Sequence, residues 1–408
     1  MKLLVLSNGH GEDLIAIRII ERLQQNTPNL ELAALPIVGQ GLAYKRLSIP
    51  LIGRVQQMPS GGFIYKGGKP LLQDLYGGLV QLTIEQLKLV RLWGKTGGLI
   101  LAVGDIVPLL FAWFSGANYA FVGTAKSEYY LRDETNWLPQ TSWLERIMNS
   151  VYLPWERWLM NRRQCQAVFP RDSLTTKILQ QYSIPACDLG NPMMDSITTK
   201  SQPRASEELN ILLLPGSRMP EALRNWHQIL MAVWSVIKAR PKDKPPQLQF
   251  SAAIAPGLDL KSFVVYGVSQ GWQMKFQYSQ TVTLTQNNCE LILTQERNHE
   301  FFKMSDIAIA MAGTATEQFV GLGKPAIIFP GTGPQFTAAF AEAQSRLLGC
   351  SITMVSDSEQ VGQTILNIIN DQQLLEQIRL NGKRRMGEPG AAQRIAECLE
   401  KTLLLPED

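Results

Sequence analysis

The sequence predicts an α/β protein of two domains, each with a parallel sheet covered by helices on both faces. Short, continuous apolar runs alternate with segments of helical periodicity, as where KLLVLS leads through a glycine turn into LIAIRIIERL. Such runs are typical of strands that are buried on both faces, as they are in a parallel sheet. The alternation starts at residue 1 and again at Asn210, and 408 residues suit two domains of ordinary size.

The boundary between the domains is predicted near residue 200. The polar stretch TTKSQPRASEEL separates the two series of strands and is the best candidate for a linker. The first domain is then 1–200 and the second 201–408. The chain ends in a predicted helix within EPGAAQRIAECLEKTLLL, and the sequence leaves its docking partner open, with the first domain as one candidate.

Composition and charge exclude some classes of partner. The formal net charge is +4, from 39 Lys and Arg against 35 Asp and Glu, and the basic residues form no long block. A nucleic-acid partner is therefore not predicted, whereas an acidic ligand or an anionic membrane surface fits this mild balance. The longest apolar stretch, 99–114, is interrupted by Gly104, Asp105 and Pro108 and is shorter than the ~20 residues of a membrane span.

The cysteines and the N terminus indicate the compartment. The number of cysteines is odd, they are widely spaced, and no C-x-x-C occurs. This pattern predicts reduced thiols in the cytosol and no structural zinc site. Only four apolar residues follow Lys2, so no secretory signal is predicted, and we expect a cytoplasmic protein. The sequence does not indicate an oligomeric state.

Residues 135–163 combine aromatic and basic side chains. The segment contains Trp137, Trp143, Tyr152, Trp155, Trp158, Arg146, Arg157, Arg162 and Arg163. Aromatics beside arginines are typical of a surface that lies in a membrane interface, which predicts peripheral contact with the inner face of a membrane. A pair of helices packed on the sheet, with solvated arginines, explains the same residues, and both interpretations stay open.

The first strand–helix turn contains a histidine between two glycines. Gly9 and Gly11 match part of the G-x-G-x-x-G fingerprint, but Leu14 replaces its third glycine, so NAD binding is only weakly supported. The glycines and the helix N terminus still favour close approach of an anion or a polarised oxygen. His10, followed by Glu12, is predicted at the carboxyl end of a parallel strand, where an imidazole can accept a proton from a hydroxyl group. Alternatively, its ring only hydrogen-bonds the turn.

Asp105 is the second candidate for proton transfer. It follows the apolar strand LILAV, so it is also predicted at the carboxyl edge of the sheet. A carboxylate at that edge can act as a base or orient His10. It can equally cap the helix that follows, and the sequence leaves these roles open.

Two loops in the second half have the composition of phosphate-binding turns. The first is Gly216-Ser217-Arg218, in which backbone N–H groups and a guanidinium group form an anion site without a metal, or only a turn with a surface arginine. Pro220 is predicted at the first helical position. The second loop consists of Gly313, Thr314, Ala315, Thr316, Glu317 and Gln318. Thr314 and Glu317 have the spacing of a capping box, which is the structural alternative for this loop.

The motifs together resemble a known family. LLPGSRMPE, AGTATEQFVGLGKPAIIFP at 312–330 and GNPMMD at 190–195 are similar to lipid-A-disaccharide synthase and its cyanobacterial relatives, among the GT-B glycosyltransferases. The resemblance extends over nearly the whole chain and is more specific in the second half. The turn NGHGED is instead more similar to that of monogalactosyldiacylglycerol synthases and the peptidoglycan N-acetylglucosaminyltransferase.

The resemblance implies two Rossmann-like domains whose sheets face a central cleft. It implies that the second domain binds the nucleotide sugar and that the first binds an acceptor, often a lipid. His10 would then take part in catalysis, and Gly216–Arg218 and Gly313–Thr316 would face the diphosphate. Gln335 corresponds to a position that contacts sugar hydroxyls in related enzymes, although its surroundings here do not identify the sugar.

One departure from the family lies at Gln318. Relatives have a ribose-binding glutamate at this position, whereas here the glutamate, Glu317, lies one residue earlier. Glutamine still donates and accepts hydrogen bonds, but it lacks the charge that strengthens them. This departure is the only support for the alternative of a nucleotide-sugar- or lipid-binding protein without activity.

The predicted function is therefore inverting transfer of a sugar from a UDP-sugar to a hydroxyl of a lipid-like acceptor. His10 would be the base, assisted by Asp105. No metal is predicted, since the D-x-D clamp of metal-dependent sugar transferases is lacking and N–H groups, helix ends and Arg218 can meet the charge. A sugar-nucleotide epimerase of the same fold is the alternative among enzymes. An epimerase needs acid–base carboxylates around the sugar ring, and the second half offers few candidates beyond Glu317 and Glu296.

Overall fold

The computed structural model describes residues 1–53, 79–197, 208–241 and 247–404. The chain divides into two compact units, one of Met1–Asp195 with Glu388–Asp408 and the other of Ser196–Gly387. Most of the predicted linker, and with it the predicted boundary near residue 200, lies outside the described residues.

The first unit is built on a five-stranded sheet in the order β2-β1-β3-β4-β5, and all its strands are parallel. Its strands are the apolar runs of the sequence, and most of their residues are buried because helices cover both faces. They are β1 (Lys2–Ser7), β2 (Glu31–Pro36), β3 (Leu99–Gly104), β4 (Tyr119–Gly123) and β5 (Cys165–Phe169).

Helices connect these strands and form a core on each side of the sheet. Ile15, Ile19 and Leu23 of the first helix pack on one face, and Val90 and Leu109 of later helices pack on the other. The apolar stripe of the first helix therefore faces the sheet, as its periodicity predicts. The helices are α1 (His10–Asn26), α2 (Leu42–Arg46), α3 (Leu79–Lys95), α4 (Ile106–Ser115), α5 (Trp143–Met148), α6 (Pro154–Met160) and α7 (Ser173–Gln180).

The second unit contains an eight-stranded mixed sheet in the order β13-β12-β11-β6-β7-β10-β9-β8. Pairing is parallel from β13 to β10, whereas β9 pairs antiparallel with both β10 and β8. The strands are β6 (Glu208–Leu214), β7 (Gln247–Ala253), β8 (Gln273–Tyr278), β9 (Thr281–Gln286), β10 (Cys289–Thr294), β11 (Ile307–Ala310), β12 (Ala326–Ile328) and β13 (Ile352–Met354). The antiparallel extension was not predicted.

Further helices of the second unit pack on its sheet or on one another. The longest packs its face of Trp226, Ile229 and Val233 into the core, where these side chains are fully buried. The helices are α8 (Glu221–Ala239), α9 (Leu260–Ser269), α10 (Asn298–Met304), α11 (Thr314–Gly321), α12 (Ala338–Leu348), α13 (Val361–Asn370) and α14 (Gln372–Met386). Short 3₁₀ turns lie at Glu128–Tyr130, Pro192–Ser196, Gly349–Ser351 and Ser358–Gln360.

The last helix, α15 (Ala391–Leu399), continues into a π-helical turn at Glu400–Leu404 and belongs to the first unit. Its N terminus is held by Asp195, whose carboxylate accepts the N–H groups of Gly390, Ala391 and Ala392 at 2.7, 3.0 and 2.7 Å. Ile395 and Leu399 complete the core on the α1 side. The last residue of the GNPMMD motif therefore anchors the end of the chain.

Two sequence expectations concern the chain as a whole. All five cysteines are free thiols in the structure. Among the described residues, no helix has the length and apolar character that crossing a membrane requires.

Candidate functional site

The first sheet edge contains the turn of Gly9, His10 and Gly11. Helix α1 begins at His10, whose side chain is exposed just beyond the carboxyl end of β1. A Cβ atom on Gly9 would lie 2.5 Å from Oε2 of Glu12, whereas one on Gly11 would meet no atom within 4 Å. Gly9 thus makes room for the Glu12 carboxyl, and the backbone at Gly11 is open to a ligand.

Asp105 lies at the same edge and caps α4. Its carboxylate accepts the Val107 N–H at 2.9 Å and the Asn8 side-chain amide at 2.7 Å. No hydrogen bond joins it to His10 in the ranges that the structure describes. The capping role that the sequence left open is therefore present, and the orienting contact with His10 is not formed.

Burial raises the pKa values of two carboxyls at this edge. Burial is the main cause for Glu12, and the nearby charge of Asp105 adds to it. The pKa of Asp105 is also raised by burial, while its hydrogen bonds and the positive charge of Lys126 oppose the shift. This sheet edge therefore combines an exposed imidazole with two carboxyls that hold protons more tightly than usual, a composition suited to proton transfer.

A buried chain of hydrogen bonds lies beneath the His10 turn. Ser7 donates to Asp13 at 2.6 Å, and the Tyr44 hydroxyl lies 2.8 Å from the Ser7 oxygen. Burial raises the pKa of Asp13 to about 6, although the bond from Ser7 opposes this. The sequence analysis missed this network. Its signal was an acidic residue on a helix face that is otherwise apolar.

The second sheet edge begins at the loop Gly216-Ser217-Arg218, after β6. Gly216 has φ of +100°, and a Cβ atom there would lie 3.2 Å from the Met311 carbonyl oxygen, so this turn requires glycine. Ser217 and Arg218 are exposed. Helix α8 begins at Glu221 with Pro220 as its N-cap, one residue later than predicted.

The loop after β11 leads into α11, for which the sequence left a capping box open as the structural alternative. Helix α11 is capped at Gly313, without a side-chain hydrogen bond, so the capping box of Thr314 and Glu317 is not formed. The buried Thr316 hydroxyl donates to Ala312 O at 2.6 Å. A ligand at this loop would therefore meet the helix N terminus and the exposed Thr314 rather than the Thr316 side chain.

Gln318 and Ala315 lie half-buried further along α11. The Gln318 amide donates to the Ser196 hydroxyl at 3.2 Å. The residue that departs from the family pattern is thus hydrogen-bonded to a serine next to the GNPMMD motif.

Gln335 belongs to a loop, residues 331–336, that follows β12. Its backbone N–H donates to both carboxylate oxygens of Glu221 at 3.0 Å, and the Phe336 N–H donates to Oε1 at 2.7 Å. One turn along α8, the Asn225 amide donates to the carbonyl oxygens of Pro215 and Met311 at 3.0 and 3.4 Å. Sequence reasoning did not identify Glu221 or Asn225 as site residues.

These contacts bring together the two predicted phosphate-binding loops and the loop that contains Gln335. Strands β6, β11 and β12 are neighbours in the sheet, so their carboxyl ends meet at one edge. Gln344 of α12 adds a link, since its amide donates to Ala312 O and Gly313 O at 3.1 and 3.3 Å. In the described part of the chain, no three His, Cys, Asp or Glu side chains gather closely enough to hold a metal ion.

No family model and no curated protein matches the chain. Solved structures match it over its whole length. CalG4, the calicheamicin glycosyltransferase, is 13% identical with a TM-score of 0.61, covering 100% of this chain and 99% of its own. MurG from Acinetobacter baumannii is 15% identical with a TM-score of 0.55, covering 98% and 99%. The UDP-GlcNAc 2-epimerase from Neisseria meningitidis, bound to UDP-GlcNAc, is 16% identical with a TM-score of 0.54, covering 98% and 100%.

The chain has the GT-B fold. The predicted fold class, α/β with two Rossmann-like domains, is confirmed by the sheets and by these similarities. The neighbours include both glycosyltransferases and epimerases that share the fold, so the likeness by itself does not choose between the two reactions. At these low identities it shows the fold alone.

Proposed function

We propose that this protein is an inverting, metal-independent glycosyltransferase that moves a sugar from a UDP-sugar to a hydroxyl group of a lipid-like acceptor, as in the lipid-A-disaccharide synthases that its motifs resemble. The main support is the second sheet edge, where two helix N termini and Arg218 meet at adjacent strand ends. Such an arrangement binds a diphosphate and stabilises it as a leaving group. The first edge supplies the group that accepts a proton.

In the proposed mechanism, His10 accepts the proton of the acceptor hydroxyl as its oxygen attacks the anomeric carbon. The bond between that carbon and the β-phosphate oxygen breaks, and UDP leaves with the bonding electrons. Arg218 and the N termini of α8 and α11 stabilise the negative charge that develops on UDP. Glu12 and the open backbone at Gly11 line the acceptor side. Asp105 assists as a nearby carboxyl group of the same sheet edge, without a hydrogen bond to His10 in the described ranges.

The nucleotide and the sugar are assigned to the remaining residues of the second edge. Gln318 hydrogen-bonds the ribose, Gln335 the sugar hydroxyls, and the N–H groups of Gly313–Ala315 the diphosphate. A neutral amide at residue 318 makes weaker bonds to hydroxyls than a carboxylate does, so we expect modest affinity for the nucleotide.

The donor assignment is tested by calorimetric titration with UDP, UDP-GlcNAc, UDP-glucose and UDP-galactose, without added metal. We expect one UDP-sugar to bind. Arg218→Ala should weaken that binding about 10- to 100-fold, because a charge-assisted contact to the diphosphate is lost. Arg224→Ala, which removes an exposed arginine of the same region, should bind normally. If none of the four compounds binds, the donor assignment is wrong.

The lipid-like nature of the acceptor is supported by an exposed aromatic surface on α5 and α6. Trp143, Ile147 and Trp155 are 68, 63 and 56% exposed, and no residue of α5 is buried. Arg162 stacks on Trp158, with its guanidinium carbon 4.1 Å from the ring centroid, while Arg146 is exposed nearby in the chain. Apolar side chains interspersed with arginines suit the interface of an anionic membrane. Helix packing is also present, since Leu159 and Met160 of α6 are in the core.

Membrane contact is tested by sedimentation with phosphatidylglycerol vesicles and with phosphatidylcholine vesicles. We expect binding to the anionic vesicles that weakens with salt. Trp143→Ala with Ile147→Ala should lower the partition coefficient at least ~10-fold, because two large apolar groups lose their burial in the membrane. Met231→Ala with Val265→Ala, two exposed apolar residues of the second unit, is the control. Equal binding of both double variants would rule out this surface.

Epimerisation of a nucleotide sugar is the second candidate, because several structural neighbours are epimerases. Incubation of the protein with UDP-GlcNAc and no acceptor separates the two activities. An epimerase would form a new UDP-sugar under these conditions, whereas the transferase would form none. Donor binding without epimerisation, and without transfer to any of a panel of lipid acceptors, would favour a binding protein instead.

A further inference from the structure

The carboxylate of Glu221 is buried among backbone N–H groups. The side chain is 5% exposed, and its hydrogen-bond donors are the N–H groups of Gln335 and Phe336, at 2.7–3.0 Å. These donors are more than a hundred residues away in the sequence and come from another strand-end loop. A carboxylate at the start of a helix is favoured there by the helix dipole, but its contacts lie with the loop rather than with its own helix.

The loop 331–336 is shaped around this carboxylate. A Cβ atom on Gly333 would lie 2.3–2.6 Å from Cδ, Cγ and Oε1 of Glu221, so no other residue fits there without displacement. The Gly331 N–H donates to Phe336 O at 2.8 Å and closes the loop. The backbone N–H of Gln335 is bonded to both carboxylate oxygens, so the position from which its side chain extends is fixed.

Glu221 also borders the candidate diphosphate loop. It is the first residue of α8, three residues after Arg218, and the next N–H in the helix, that of Ala222, donates to Arg218 O at 2.9 Å. The first turn of α8 therefore bonds to both loops, through the Ala222 N–H to the loop that we assign to the diphosphate and through the Glu221 carboxylate to the loop that we assign to the sugar.

The two candidate phosphate loops have a tie of their own. Asn225 donates to Pro215 O and Met311 O, at the starts of the loops after β6 and β11. Loss of the Glu221 carboxylate should therefore release only the loop 331–336 and leave the loops at Gly216 and Gly313 in place. The effect of a Glu221 variant on sugar binding can therefore be separated from its effect on diphosphate binding.

We infer that Glu221 is a positioning residue that gives the site its preference for a UDP-sugar over UDP, by holding Gln335 against the sugar. This inference rests on the proposed function, since it requires that the second edge binds the donor. It assigns no contact with the donor to Glu221 itself.

The test is Glu221→Gln, which keeps the size of the side chain but replaces one acceptor oxygen by an NH₂ group facing N–H donors. The dissociation constants of UDP and of the preferred UDP-sugar are measured by calorimetry. We expect the preference for the sugar nucleotide to fall about tenfold, while UDP binds within about threefold of the wild-type value. Hydrogen exchange should speed up at residues 331–336 and stay slow at 211–214.

Three variants make the outcome specific. Glu359→Gln, at an exposed position, should change neither constant. Glu221→Asp keeps the charge and should recover part of the preference. Gln335→Ala keeps the N–H groups that bind Glu221, so it should lose the preference with the loop intact. If Glu221→Gln does not fold, Glu221→Asp is the test, and it should lose part of the preference.

The outcomes separate this inference from the proposed function. Equal weakening of UDP and UDP-sugar in Glu221→Gln, or an unchanged preference in that variant, overturns the inference and leaves the donor assignment standing. A wild-type protein that binds UDP and its sugars equally well also overturns it. A wild-type protein that binds none of them overturns the donor assignment, and the inference with it.

Discussion

The two sheet edges of this protein differ in the chemistry that they present. At the first edge, His10 is exposed, and Glu12 and Asp105 are carboxyls whose pKa values burial raises. At the second edge, Arg218 is an exposed positive charge, and the loops beside it end at helix N termini. The first edge is suited to moving protons, and the second to binding an anion.

The edges also differ in how their residues are held. At the first edge, Tyr44, Ser7 and Asp13 bond to one another through their side chains, and Asp105 accepts from both the Asn8 side chain and the Val107 N–H. In the second unit, Glu221 and Asn225 bond to backbone groups of distant loops. The contacts of Glu221 and Asn225 therefore hold loop backbone at the second edge, whereas the first edge contains carboxyls whose pKa values burial raises.

The largest expected effect is a loss of catalysis at the first edge. His10→Ala should lower the turnover of sugar transfer by ~10²–10⁴-fold, because a general base is lost, while the affinity for UDP stays unchanged. Transfer is measured with the donor identified by calorimetry. His227→Ala, a histidine of the second unit that stacks on Tyr266, is the control. Near-full turnover in His10→Ala would remove the histidine from the mechanism and direct attention to Glu12.

A smaller effect concerns the stability of the first unit. The pKa of Asp13 is raised from 3.8 to about 6, so between these pH values the folded protein binds more protons than the unfolded chain. The free energy of unfolding therefore falls as pH rises through this window, by about 3 kcal/mol from this residue. Asp13→Asn lacks this dependence. It should gain about that much relative to the wild type between pH 3.5 and pH 7.

Urea unfolding at both pH values measures the difference, and Asp188→Asn, at an exposed site, is the matched control. If Asp13→Asn and Asp188→Asn showed the same pH dependence of unfolding, the inferred pKa shift of Asp13 would be wrong. In that case the carboxylate of Asp13 would be as well accommodated in the fold as it is in water, and the pH response of the first unit would have to come from Glu12 and Asp105.

Sequence patterns predict local features of this fold well. The strands next to the candidate site could be predicted because both faces of a parallel strand are buried, which leaves a continuous apolar run such as NILLL before Gly216. The glycine turns after these strands could also be predicted, because glycines closely follow the apolar runs. The detail that was wrong was local too, since α8 begins one residue later than predicted.

Contacts between distant segments could not be predicted from one sequence. Glu221 at the start of a helix has the composition of an ordinary N-terminal turn, and nothing near it indicates that its partners are Gln335 and Phe336. The strand β8 was missed for another reason. QMKFQY alternates polar and apolar residues, which is a strand pattern, but it is not one of the continuous apolar runs from which the other strands were predicted.

The smallest expected effect sharpens the comparison at the second edge. Gln318→Glu introduces the carboxylate that the family resemblance implies at this position, and it can still accept a hydrogen bond from Ser196, to which the amide now donates at 3.2 Å. If this residue contacts the ribose, UDP should bind about fivefold more tightly, because a hydrogen bond to a carboxylate is stronger than one to a neutral amide.

Calorimetry with UDP measures the change, and 2′-deoxy-UDP should show less of it. Glu317→Gln, at the adjacent position, should leave UDP affinity near the wild-type value. Unchanged or weaker binding by Gln318→Glu would place the ribose against other residues and would leave the second edge as a diphosphate site alone.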